Sequence, residues 1–113
     1  MVRTDKYIDF GFISGNPERS MPTDTFAEMQ TWRNDIPIEI IIKHIETLQE
    51  GLMCGEMATS IDAVTGEGYP AGQYKDGPFF FPIDVLRYLK RGDIHGVPKE
   101  YEEYLKETYH LGE

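Results

Sequence analysis

Apolar and polar positions alternate near the start of the chain. Ile8, Phe10 and Phe12 fall on one side of an extended backbone, with Tyr7, Asp9 and Gly11 on the other. This period of two predicts a strand over residues 6–13. The following SGNPERSMP carries Gly15, Pro17 and Pro22 and reads as a break. Phe26, Met29 and Trp32 then return at helical spacing. Thr25 and Glu28 stand three apart, as in a capping box, so a short helix is expected over residues 25–34.

The clearest helical pattern covers residues 37–50. Ile38, Ile41, Ile45, Leu48 and Leu52 form one stripe, Pro37 suits a first turn, and Gly51 suits a C-terminal cap. Residues 54–81 change period. Met57, Thr59, Ile61 and Ala63 alternate with Ala58, Ser60, Asp62 and Val64. TGEG at 65–68 and KDG at 75–77 are turn signals, and a second strand is expected near 72–74. Two more helices follow, at 82–90 with Gly92 as cap and at 97–109 opened by Pro98. Tyr101, Tyr104, Leu105 and Thr108 line one side of the last helix, with Lys99–Glu103 and Glu102–Lys106 pairs placed outside.

The order β, α, α, extended β, α, α does not alternate like a doubly wound sheet. It predicts a small α+β domain spanning residues 1–113, a mostly antiparallel sheet with three to four helices on one face. The 113 residues are 40% hydrophobic and 27% charged, a globular composition able to bury one core.

Net charge is −9, which disfavours direct binding to nucleic acid or to an anionic membrane. The middle of the chain is the most acidic. Residues 37–68 hold only Lys43 against Glu39, Glu46, Glu50, Glu56, Asp62 and Glu67. A field of that sign steers a basic protein. The N-terminus lacks the apolar core of a signal peptide, no apolar run approaches the roughly 20 residues of a membrane span, and Cys54 is the only cysteine. A cytoplasmic protein is the expectation.

Candidate chemistry is sparse. Cys54 and His44 are a conceivable nucleophile and base, but GLMCGEM has no cation to activate the thiol. His44, His95 and His110 lack metal-ligand spacing, so no metal or other cofactor is expected. Asp5 with Asp9, and Asp62 with Glu67, are the acid pairs that twenty acidic residues produce by chance. GEGYPAG at 66–72 lacks the Gly-Lys-Ser/Thr of a phosphate loop, and RGD at 91–93 reads as a helix end.

The aromatic run at 68–82, GYPAGQYKDGPFFFP, is more informative. Tyr69 and Tyr74 are expected on an exposed loop. Phe79, Phe80 and Phe81 are expected to carry the chain back to the core, with Phe80 buried. Together these features predict a non-enzymatic binding module, an inhibitor or immunity-type protein that occludes a basic partner such as a nuclease toxin. Glu46, Glu50, Glu56, Asp62, Glu67, Tyr69 and Tyr74 would form the partner surface. A phage-borne inhibitor of a host enzyme shares these features. The alternatives are a small-molecule binder or small enzyme with an aromatic pocket closed by residues 68–81, and a homo-oligomer that buries the Phe cluster between subunits.

Overall fold

The computed structural model describes residues 1–12, 24–48 and 59–112, together with the backbone of Gly51–Leu52. Among the described residues eleven elements follow one another: β1 Val2–Arg3, β2 Ile8–Asp9, α1 Phe26–Met29, α2 Ile38–Glu46, β3 Gly51–Leu52, β4 Thr59–Ile61, β5 Gly68–Pro70, β6 Gly72–Asp76, β7 Phe79–Pro82, α3 Ile83–Arg91 and α4 Lys99–Tyr109. The fold is α+β. A five-stranded sheet runs β1-β2-β7-β6-β3, and β4 and β5 form a separate two-stranded ribbon. Three of the four ladders in the larger sheet are antiparallel, and β2–β7 alone is parallel.

Side-chain alternation along β6 and β7 sets the layers. Tyr74, Asp76, Phe79 and Phe81 point inward and are buried. Lys75 and Phe80 point outward, where Tyr7 packs edge-on against Phe80 at 4.8 Å and the Lys75 ammonium lies 5.6 Å from its ring. Inward-facing Phe10 stacks on Phe81 at 4.7 Å, and both meet Tyr101 of α4 at 5.3 Å. Ile41 and Ile45 of α2 and Val85 and Leu89 of α3 complete the same core.

The predicted elements occur, with shifted limits. The Thr25–Glu28 capping box is present, with both reciprocal hydrogen bonds at 3.1 Å. The strand expected over residues 6–13 is reduced to β2, although Phe10 still donates its amide to the Phe80 carbonyl at 3.0 Å. Ile13 and the SGNPERSMP break lie outside the described residues. Pro37, Pro82 and Pro98 each stand one residue before the helix they introduce, as N-caps. Gly51 is not a helix cap. Helix α2 ends at Glu46, with Thr47 as its C-cap, and Gly51 pairs with Gln73.

Other expectations are overturned as well: Phe80, expected in the core, faces outward beside Tyr7 and Lys75. The strand expected near 72–74 is β6, which pairs with Phe79–Pro82 across Gly77 and Pro78, so Tyr69 and Tyr74 lie on strands β5 and β6 rather than on an exposed loop closing over a pocket. Tyr74 is only 7% exposed, because its position on β6 faces the core beside Phe81. Glu102 is buried rather than outside. Its carboxylate accepts from the backbone amides of Asp35 and Ile36 at 2.6 and 2.9 Å, where the chain enters α2.

Candidate functional site

The β4–β5 hairpin closes through a turn at residues 62–66, with Gly66 at φ +77°, a conformation that suits a residue without a Cβ. Asp62 stands at the head of this turn, and its Oδ1 accepts from the amides of Val64 and Thr65 at 2.8 and 3.0 Å. The same carboxylate reaches across to α3. Arg87 Nε donates to Oδ2 at 2.7 Å, and Arg91 donates to Oδ2 and Oδ1 at 2.8 and 2.9 Å. Positions 87 and 91 are one helical turn apart, so both guanidinium groups project toward one spot. The Arg91 hydrogen bonds, opposed by burial and assisted by the turn amides and Arg87, hold the Asp62 carboxyl far below the usual carboxylate range.

Aromatic contacts extend this clamp. The Arg87 guanidinium lies 4.4 Å from the centre of the Tyr69 ring, and that of Arg91 lies 5.7 Å from Tyr88. The Tyr88 hydroxyl accepts from the Ala63 amide at 2.9 Å. Beneath the hairpin sits Asp84, in the first turn of α3 and 4% exposed. Burial raises its carboxyl above the ordinary value, against lowering contributions from Tyr69, its own backbone amide, Ser60 and Arg87. Burial likewise pushes the Tyr69 hydroxyl up, with the neighbouring Asp84 adding to the effect.

Two large apolar side chains stand exposed on this hairpin. Ile61 is 49% exposed and Val64 is 54% exposed. Opposite Ile61 stands Gly68, which has no side chain to cover it.

A second polar cluster lies between α2, α4 and the β6–β7 turn. Asp76 accepts from Tyr101 and Tyr109 hydroxyls at 2.7 and 2.6 Å, and its Oδ2 meets His44 Nε2 at 2.8 Å. Burial alone would raise the Asp76 carboxyl, but His44, Tyr109 and Tyr101 outweigh it and hold it below its ordinary value. The His44 ring also packs on Tyr109 at 4.4 Å. This arrangement ties three elements together around one carboxylate. Among the described residues, no group of three or more His, Cys, Asp or Glu is placed to hold a metal.

Of the residues expected to form a partner surface, Asp62, Glu67 and Tyr69 come together on the hairpin. Asp62 is fully enclosed, and Glu67 lies 3.4 Å from Arg87. Glu46 lies apart on α2, paired with Lys90 of α3 at 3.1 Å. Tyr74 is in the core, and Glu50, Glu56 and Cys54 lie outside the described residues. Sequence reasoning missed Arg87, Arg91, Asp84, Ile61 and Val64. Arginines one turn apart on an amphipathic helix were an available signal for a shared anion, but not for which of twenty acids they would hold.

Among the described residues, no helix is long and apolar enough to cross a membrane. Compared with family models, curated proteins and solved structures, the chain matches none.

Proposed function

We propose that this chain is a protein-binding module that presents the β4–β5 hairpin to a basic partner protein and acts as an inhibitor of immunity type, by occlusion. The observation that carries this reading is the pair Ile61 and Val64, half-exposed on a ribbon clamped to α3 through the enclosed Asp62. A preformed apolar tip binds without a large ordering cost, because the clamp has already fixed the turn. The partner is basic because the chain carries −9, and charge of that size raises the rate of encounter with a cationic surface. Glu67 and Glu46, exposed and each near a cation of α3, would lie at the rim, where charged pairs contribute selectivity more than affinity.

The test is affinity capture at low salt from the native cell, comparing the wild-type protein with Ile61→Asp and Val64→Asp. Binding of a basic protein retained by the wild type should be weakened by roughly fivefold or more with either variant, since each removes about a kcal/mol or more of apolar burial. Melting temperatures should stay near wild type, because both side chains already face water. Retention unchanged in the double variant, or only acidic and salt-insensitive captures, defeats the proposal.

A further inference from the structure

We propose that Asp84 is a proton-operated catch: the β4–β5 hairpin closes over its buried carboxyl while that group is protonated and loosens when it ionises. The geometry is that of a buried acid with incomplete partners. Asp84 is 4% exposed, and Tyr69 of β5 and the buried Ser60 of β4 act on its carboxyl from the hairpin. Yet neither Asp84 Oδ1 nor the Tyr69 hydroxyl completes a hydrogen bond, and both atoms are buried. A neutral carboxylic acid tolerates such a site far better than a carboxylate does.

The charges around it do not supply a dedicated counter-ion. Tyr69 faces Asp84 from β5 and Tyr88 lies near it on α3; both are neutral at ordinary pH. Arg87, one turn along α3, is a cation that acts on it, but its guanidinium is already bonded to Asp62 and directed toward Glu67. Ionised Asp84 therefore adds a poorly compensated negative charge under the ribbon that Asp62 clamps. Admission of water between the hairpin and α3 relieves that charge, at the expense of the Tyr69 and Ser60 packing.

The sign follows from proton binding. Burial raises the Asp84 carboxyl, so between the unfolded value of about 3.9 and the higher folded value the folded chain holds a proton that the unfolded chain has lost. This contribution favours the folded state at the acid end. It falls as pH rises through the window and is lost above the folded value. The catch acts on the hairpin used in the binding proposal, but its test needs no partner, so the two fail independently.

The experiment titrates the full chain by NMR from pH 4 to 8, following the Asp84 side-chain carboxyl carbon and the backbone amides of residues 59–69. Thermal melts compare wild type with Asp84→Asn across the same range. Asparagine keeps the shape of the neutral acid. The expected result is a carboxyl midpoint above the ordinary Asp value, with hairpin amides moving at the same midpoint. The Asn variant should gain on wild type as pH rises, reaching a melting temperature about 4–8 °C higher at the alkaline end. An Asp84 that titrates at its ordinary value overturns the proposal, as does one that titrates without moving the hairpin amides. If the Asn variant does not fold, Tyr69→Phe replaces it: the wild-type titration still decides, and Tyr69→Phe should shift the Asp84 midpoint.

Discussion

Removing the Asp62 carboxylate is the most direct perturbation of the hairpin clamp. Asp62→Ala deletes the acceptor of two turn amides and of both guanidinium groups at once. A buried ion pair broken on one side costs about 3–5 kcal/mol when the remaining charge is trapped. Here the arginines are 34% exposed and can turn to water, which sets the expectation at the low end, about 3 kcal/mol. For a domain of this size that is a drop of roughly 10–15 °C in melting temperature. Asp62→Asn should lose less, because its amide oxygen can still receive Val64 and Thr65. The pH dependence gives a second, sharper readout. The folded carboxyl lies far below its ordinary value, so its stabilisation is present above the unfolded value of about 3.9 and is lost as pH falls below it. Circular dichroism melts from pH 2.5 to 7 should therefore show a steeper acid loss in wild type than in Asp62→Asn. A cost under about 1 kcal/mol for Asp62→Ala, or identical acid slopes for wild type and Asp62→Asn, would refute the clamp as the hairpin's anchor.

Two further predictions concern the aromatic triplet and the Asp76 hub. In urea titrations Phe81→Ala should cost about 4 kcal/mol, because its ring is enclosed between Phe10, Tyr74 and Tyr101, while outward-facing Phe80→Ala should cost under half as much; equal costs would mean the two faces of β7 are misassigned. Asp76→Ala should cost about 3 kcal/mol by leaving the enclosed Tyr101 hydroxyl without its acceptor, and Tyr109→Phe about 1 kcal/mol, since that ring is partly in water; the reverse ranking by denaturant midpoint contradicts this account of the hub.

The class of the fold was legible because period and punctuation agreed. Ile41 and Ile45 lie in the core as their spacing requires, Phe10 and Phe12 share the buried side of the first extended segment, and Gly92 caps α3 at φ +85°. Where the reading failed, a contact distant in sequence had decided the outcome. Leu52 continues the stripe of α2 by count, yet it belongs to β3, because β6 offers a ladder from Gly72–Asp76. Glu102 looks like a surface partner of Lys106, yet the turn into α2 needs an acceptor and α4 delivers one from 66–67 residues away. Tyr74 looks like a loop residue between glycines, but the two-residue turn at Gly77 and Pro78 makes it a strand residue with a fixed side. The candidate site was half visible. Local sequence marked Asp62, Glu67 and Tyr69, but not the arginines 25 and 29 residues beyond Asp62 that hold it.

Those arginines change what the acidity means. Asp24, Asp62, Asp76, Asp84 and Glu102 are all buried, and several answer a specific structural demand: Asp24 accepts the Gly11 amide at 2.7 Å, Asp62 closes the hairpin, Asp76 gathers α2 and α4, and Glu102 receives the chain entering α2. A carboxylate enclosed by guanidinium groups projects little field into solvent, because its nearest charges cancel it. The concentration of acid in residues 37–68 therefore overstates the negative potential at the hairpin, where Arg87 and Arg91 stand beside Asp62 and Glu67. On the proposed reading, affinity at that surface would come chiefly from Ile61 and Val64, which are about half exposed. The net charge of −9 would act at longer range, on how often the proposed basic partner arrives.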